Sequence, residues 1–175
     1  FIRRLPNVSK PMIAAVDGLA IGIGTTMLFH CDLVYATPTA SLRTPFLDLG
    51  LVPEAASSLT AVQRMGQARA FELLCLGEPF NADRGREAGI INAVVPAAEL
   101  EATAMKAARR LAAKPRGALM AARRLMRGDP AALSAQIDAE AKVFGERMRS
   151  AEAQEAFAAF FEKRPPDFKK VRDKS

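Results

Sequence analysis

Residues 11–54 read PMIAAVDGLAIGIGTTMLFHCDLVYATPTASLRTPFLDLGLVPE, and this stretch decides the fold. Met12 to Val16 is short, apolar and ended by Asp17-Gly18, which is typical of a buried strand. The glycine-spaced turn at residues 22–24 then opens an apolar helix, which we expect to run to Cys31. Leu33 to Ala36 is a second short apolar strand. This order of elements predicts an α/β core.

The pattern becomes helical after Pro53, which can occupy a first helical turn without losing a hydrogen bond. Glu54 would then lie at the positive end of the helix dipole. Helices separated by single glycines are predicted at roughly residues 55–65, 67–76 and 82–88. Ile90 to Val95 is predicted to form a strand, whereas a proline and a glycine leave Ser41 to Val52 unassigned. The rest of the chain has apolar stripes at helical spacing, so we expect a helical C-terminal extension.

The composition places the chain among cytosolic proteins. Its 175 residues, half of them hydrophobic, are sufficient for one core. No apolar run reaches the ~18 to 20 residues of a membrane span, and nothing resembles a signal peptide. Cys31 and Cys75 lack metal-ligand spacing, and buried reduced thiols are expected. We therefore predict a cytoplasmic protein with no membrane partner and no metal site.

The net charge is +6, with 25 Lys and Arg residues against 19 Asp and Glu residues. Much of the excess lies in the predicted C-terminal helices. A solvated basic surface, a phosphate-bearing ligand and nucleic acid are the alternative explanations. One Tyr and no Trp leave few aromatic side chains for stacking bases, which argues against nucleic acid.

Three features of residues 11–54 could carry chemistry. Gly22 and Gly24 flank Ile23 in a turn that serves either tight packing or the binding of an anion by backbone N–H groups. Glu54 is either an exposed residue of a first helical turn or, among its small and apolar neighbours, a buried carboxylate with a raised pKa. His30 is the only histidine, and its apolar helical context favours a structural role.

Several separated motifs resemble the crotonase superfamily, the enoyl-CoA hydratases and isomerases. In chain order they are KPMIAAVDGLA at 10–20, GIG at 22–24, CDLVYA at 31–36, TPF at 44–46, LGLVPE at 49–54, GEPFNA at 77–82, AGIINAVVP at 88–96 and FFEKR at 160–164 with Pro166. The resemblance implies a ββα-spiral core and a C-terminal helical trimerisation region. It assigns residues 1–96 to the C-terminal part of the core and residues 97–175 to the helical, CoA-contacting region. Since the chain begins with Phe1 rather than Met, we expect that its N-terminal part is missing.

The resemblance also implies the site. A CoA thioester would be held with its carbonyl oxygen between two backbone N–H groups, of which Ile23 supplies one and a loop before this chain the other. Gly22 and Gly24 would allow the close approach. Hydratases of this superfamily use two glutamates. In this sequence the two positions hold Thr26 and Phe46. Phe46 is then a candidate for binding the substrate. Glu54 matches the single catalytic glutamate of the enoyl-CoA isomerases.

At the C-terminus, Phe160, Phe161 and Lys163 are candidates for contacts with the CoA adenine and phosphate. CoA would be part of the substrate, with no permanently bound cofactor, and the assembly a homotrimer or hexamer. We therefore predict an isomerase that moves a 3-enoyl-CoA double bond to the 2-position. A hydratase and a fragment that binds or oligomerises without catalysis remain the alternatives.

Overall fold

The computed structural model describes residues 1–172, and two small sheets form its centre. One sheet contains β1 (Ile13–Val16), β3 (Leu33–Ala36) and β6 (Ala93–Val94), all parallel. The other contains β2 (Leu19–Ile21), β4 (Ser41–Arg43) and β5 (Phe80–Asn81), with β2 and β4 parallel and β5 antiparallel to β4. The chain thus passes from one sheet to the other between β1 and β2, and again between β3 and β4.

Helical segments follow these strand pairs. They are α1 (Ile23–Thr26), α2 (Ser57–Met65), α3 (Gln67–Phe71), α4 (Ala82–Glu87), α5 (Ala97–Ala112), α6 (Arg116–Arg127), α7 (Pro130–Arg147), α8 (Ala151–Phe161) and α9 (Lys169–Arg172). Three 3-10 helices span Ile2–Asn7, Met27–His30 and Leu47–Leu49, and a π-helical turn spans Glu72–Leu76. Pairs of strands followed by helices are the ββα order that the resemblance implies.

The hydrophobic core lies where the two sheets meet the first helices. Its most deeply buried large side chains, each with less than 2% of its surface exposed, are those of Val34, Leu42, Leu73, Phe80 and Ile90. The strand residues alternate between buried and partly exposed positions, because successive side chains of a strand point to opposite faces. The core therefore holds the turn after β2 and the loop before α2 in fixed positions.

The prediction that the helix around Glu54 begins at Pro53 was wrong. The helix begins at Ser57, because Ala55 and Ala56 adopt left-handed conformations with φ of 59° and 56°. Glu54 therefore lies in a loop rather than in a first helical turn. The helices predicted at 55–65, 67–76 and 82–88 are otherwise confirmed to within one or two residues.

Two further predictions need correction. The helix after residues 22–24 is short and changes to a 3-10 helix at Met27, so that Cys31 lies outside it. The strand predicted from Ile90 to Val95 is confined to β6, since the N–H groups of Ile90 and Ile91 donate to the carbonyl of Gly85 on α4 instead of to a strand. Strands β2 and β4, three residues each, were not predicted.

The helices of residues 97–172 are attached to the core by specific polar contacts. The guanidinium of Arg123 on α6 donates to the carboxylate of Asp32, with Nε 2.9 Å from Oδ1. Glu140 on α7 accepts hydrogen bonds from the N–H groups of Ala56 and Ser58, at the start of α2. The assignment of this region to trimerisation remains a prediction, and its last three residues lie outside those described. No helix within residues 1–172 combines the length and the apolar character needed to cross a membrane.

Gly50, which closes the 3-10 helix before Glu54, provides a test of the packing of α8. Its φ is +66°, and a Cβ placed there would lie 2.8 Å from the backbone nitrogen of Ala153. We expect Gly50→Ala to lower the free energy of unfolding by about 2–4 kcal/mol, from backbone strain and overpacking together. Gly145→Ala is the control, since Gly145 lies inside α7 with open space around it and should gain about 0.5–1 kcal/mol. Urea unfolding measures the free energy of unfolding of both variants. A wild-type free energy of unfolding for Gly50→Ala would contradict the contact between Gly50 and α8.

Candidate active site

The carboxylate of Glu54 is held at one oxygen and has no partner at the other. Thr26 at the end of α1 donates its hydroxyl hydrogen to Oε1 of Glu54 at 2.5 Å, and the Thr26 side chain is fully buried. Oε2 is buried and has no hydrogen-bond partner among the described residues. A carboxylate with one fixed oxygen and one unpaired oxygen is suited to accept a proton from a bound molecule.

Burial is the main cause that raises the pKa of Glu54 above its ordinary value. The nearby charge of Glu140 acts in the same direction, and the hydrogen bond from Thr26 opposes both by stabilising the ionised form. A raised pKa makes the ionised carboxylate a stronger base, as proton removal from a bound molecule requires.

The turn at residues 22–24 leaves the backbone N–H groups of Ile23 and Gly24 without an acceptor among the described residues. Gly22 has a φ of +56°, which side chains rarely tolerate, and its own N–H donates to the carbonyl of Arg43 at 2.8 Å. The N–H of Ile23 donates to no group in the hydrogen bonds of residues 1–172. Gly24 has no such φ, and an added Cβ would make only an ordinary contact with Ala20. The backbone conformation therefore requires glycine at position 22 but not at position 24.

Helix α1 connects this turn with Glu54. Ile23 begins the helix and Thr26 ends it, so the two residues lie three positions apart on one face. The unpaired N–H of Ile23 and the carboxylate of Glu54 are thus placed on the same small element, one directly and the other through the Thr26 hydroxyl. The structure thus joins Glu54 to the helix that begins at Ile23, and the joint role of the two residues in a site remains a prediction.

His30 supports the loop rather than serving as a base. Its Nε2 lies 2.7 Å from the carbonyl oxygen of Ala55, and only 1% of the residue is exposed. Burial lowers the pKa of His30, so the ring is neutral and Nε2–H is the donor. The structural role predicted for this histidine agrees with the observed contact.

The remaining predicted site residues lie apart from this pair. Phe46 is buried in the core with 6% of its surface exposed, so its side chain packs there and its contact with a substrate remains a prediction. Phe160 and Phe161, at the end of α8, are 69% and 79% exposed and form an edge-to-face pair. Lys163 follows them and is exposed. No hydrogen bond within the described residues joins these three to Glu54.

Cavity size does not locate this site. A cavity of about 960 Å³ is lined by residues 6–11 and by side chains of α5 and α6, and neither Ile23 nor Glu54 lines it. Within residues 1–172 no three His, Cys, Asp or Glu side chains are grouped as metal ligands. The candidate site is therefore identified from its hydrogen-bond geometry.

The sequence did not reveal two residues that hold this site. Thr26 stands where a hydratase of the resembled superfamily has a glutamate, but its hydrogen bond with Glu54 has no local signal in the sequence. Glu140 lies 84 positions from Ala56, to whose N–H it binds, and no pattern connects the two.

The sequence model of the enoyl-CoA hydratase/isomerase family matches residues 1–172. The chain belongs to this family. The predicted crotonase fold is confirmed by the crystal structure of an enoyl-CoA hydratase/isomerase from Pseudoalteromonas atlantica, which is 41% identical with a TM-score of 0.93 over 96% of this chain and 68% of that one.

Two curated relatives from Escherichia coli bear different activity names. One is 2,3-dehydroadipyl-CoA hydratase, 32% identical over 95% of this chain and 66% of the relative. The other is 1,2-epoxyphenylacetyl-CoA isomerase, 34% identical over 95% of this chain and 64% of the relative. The chain thus spans about two thirds of the length of these relatives.

The hydrogen bond between Thr26 and Glu54 predicts a pH effect. Since this bond lowers the pKa of Glu54, Thr26→Val should raise it further and move the acid limb of the kcat/KM profile to higher pH. Loss of a hydrogen bond to a charged group should also reduce kcat/KM at pH 7 by about tenfold. Thr26→Ser keeps the hydroxyl and should leave the limb in place. An unmoved limb in Thr26→Val would show that the hydroxyl does not act on the reacting carboxylate.

Proposed function

We propose that this protein is an acyl-CoA enzyme that moves the double bond of a 3-enoyl-CoA to the 2-position, with Glu54 as its proton shuttle. The observation that carries the proposal is the Glu54 carboxylate, whose Oε2 is buried and unpaired among the described residues and whose Oε1 is joined through Thr26 to the helix that begins at Ile23. The substrate class follows from the family, and CoA enters as part of the substrate rather than as a resident cofactor.

The reaction needs one base and one site for negative charge. Oε2 of Glu54 removes a proton from C2 of the thioester, and the electrons of that C–H bond move into a dienolate. The dienolate oxygen carries the charge next to the N–H of Ile23, and the protonated Glu54 then returns the proton at C4. The new double bond lies between C2 and C3, and no water or second carboxylate takes part.

The backbone N–H contributes electrostatic stabilisation. An oxyanion donor of this kind is worth about 2.7–4 kcal/mol of transition-state stabilisation. Gly22 makes the donor available, because its positive φ directs its own N–H to Arg43 and leaves that of Ile23 unpaired. In the arrangement that the family implies, the second donor comes from a loop that precedes this chain.

Hydration of a 2-enoyl-CoA is the second candidate function. It is favoured by the similarity to 2,3-dehydroadipyl-CoA hydratase, which is nearly as high as that to 1,2-epoxyphenylacetyl-CoA isomerase. Against it, the two positions at which hydratases have glutamates hold the buried Thr26 and Phe46. Neither side chain can activate water, so the preference for isomerisation rests on these residues.

The direct test is Glu54→Gln in the full-length protein, assayed on a 3-enoyl-CoA and separately on a 2-enoyl-CoA. We expect kcat for double-bond transfer to fall by at least a factor of about 10³, since loss of the base removes proton transfer altogether. Little hydration of the 2-enoyl-CoA is expected in either protein. Glu78→Gln, at an exposed position, is the matched control and should retain wild-type activity.

Hydration that survives Glu54→Gln would contradict the proposal and point to carboxylates outside this chain. The absence of turnover on both substrates in the wild-type protein would favour the third possibility, a protein that binds acyl-CoA or oligomerises without catalysis.

We also propose that Phe160, Phe161 and Lys163 contact the nucleotide end of CoA, within a homotrimer or hexamer. Their exposure at the end of α8 supports this, because exposed aromatic rings beside a cation suit an adenine and a phosphate. Phe161→Ala/Lys163→Ala should raise KM for the enoyl-CoA about tenfold and leave KM for the matching pantetheine thioester, which lacks the nucleotide, unchanged. Phe71→Ala removes another exposed ring, on α3, and is the control. An equal effect on both thioesters would contradict the assignment.

A further inference from the structure

The loop that carries Glu54 is bound by a second buried glutamate from the C-terminal helices. Glu140 lies on α7 with 6% of its surface exposed. Its Oε2 accepts the N–H of Ala56 at 2.6 Å, and its Oε1 accepts the N–H of Ser58 at 3.1 Å together with the Ser58 hydroxyl. Gln136, one turn earlier on α7, donates to the same hydroxyl at 2.9 Å. Burial raises the pKa of Glu140, and the hydrogen bonds from the N–H groups of Ala56 and Ser58 and from the Ser58 hydroxyl oppose this by favouring the ionised carboxylate.

This contact replaces a cap that the sequence around α2 does not provide. Helix α2 begins after Ala56, whose side chain cannot accept a hydrogen bond from the first N–H groups of the helix. Glu140 accepts two N–H groups at this end, and its negative charge lies at the positive end of the helix dipole. A residue far away in sequence therefore performs the capping role.

The two residues between Glu54 and α2 need such support. Ala55 and Ala56 both have a positive φ, and such conformations persist in residues other than glycine only when the surroundings hold them. His30 holds the carbonyl of Ala55, and Glu140 holds the N–H of Ala56 on the other side. The carbonyl and the N–H belong to the one peptide group that joins Ala55 to Ala56, so this group is held on both sides in the middle of the strained pair.

We propose that Glu140 is a positioning residue for the reaction, which holds the Glu54 carboxylate against Thr26 through the Ala55–Ala56 backbone. The inference rests on the proposed role of Glu54. Glu140 touches no reacting atom in this arrangement, so it acts on kcat rather than on substrate binding. The helical region of residues 97–172 would then contribute to catalysis through α7, in addition to any role in assembly.

The test compares Glu140→Ala and Glu140→Gln with Glu146→Ala in the full-length protein. Glu146 is exposed on the same helix and enters no ion pair or side-chain hydrogen bond within the described residues. We expect kcat to fall about 100-fold in Glu140→Ala with KM changed less than threefold, since a misplacement of about 1 Å can cost that much. Glu140→Gln keeps one acceptor oxygen, so we expect its kcat to fall by only about tenfold. Glu146→Ala should match the wild type.

A general loss of stability would also lower activity, and Ala56→Gly separates the two effects. Glycine tolerates the positive φ at position 56, so Glu140→Ala/Ala56→Gly should recover thermal stability. Because the N–H of residue 56 still lacks its acceptor, kcat should remain low. Recovery of kcat together with stability would overturn the positioning role, as would a wild-type kcat in Glu140→Ala.

A crystal structure of Glu140→Ala/Ala56→Gly gives a readout that does not depend on turnover. We expect the hydrogen bond between Thr26 and Glu54 to be broken there, and its retention would contradict the inference. If this hydrogen bond is broken but Glu54→Gln leaves double-bond transfer intact, then the proposed function fails while the positioning role of Glu140 for the Glu54 side chain stands.

Discussion

The left-handed backbone of Ala55 and Ala56 is the constraint on which the site depends. These two residues turn the chain away from α2 at the point where a regular helix would have begun, and so keep Glu54 in a loop beside Thr26. Two such conformations cost about 1–2 kcal/mol each for residues other than glycine. The contacts of His30 and Glu140 offset this cost, because each binds one backbone group of the pair. The strain is therefore located at the candidate catalytic residue.

The same arrangement explains the electrostatics of Glu54. Its carboxylate is shielded from water, which raises its pKa, and one hydrogen bond from a neutral hydroxyl keeps the ionised form accessible. An arginine or lysine in place of Thr26 would stabilise the ionised form far more and weaken the base. A second carboxylate there, as in hydratases, would serve to activate water. A threonine at this position is suited to a reaction that moves one proton between two carbon atoms.

The sequence predicts the parts of this protein that depend on local pattern. Apolar runs bounded by glycine and proline locate β1, β3 and the helices up to α4, and the motifs around Ile23 and Glu54 indicate the family. It does not predict β2 and β4, because three-residue strands have too few positions to show alternation. Nor does it predict the contacts of Thr26 and Glu140, since tertiary packing brings together residues 28 and 84 positions apart. Proline 53 suggested a helix start that these contacts override.

In the proposed reaction, one carboxylate carries the proton from C2 to C4. The most direct measurement is the isomerisation of a 3-enoyl-CoA deuterated at C2 in ordinary water, with the product analysed by NMR at C4. Because Oε2 of Glu54 is buried and has no hydrogen-bond partner among the described residues, we expect a measurable part of the deuterium to appear at C4. Product whose C4 hydrogen comes entirely from solvent would contradict direct transfer of the proton by a carboxyl group that is shielded from water.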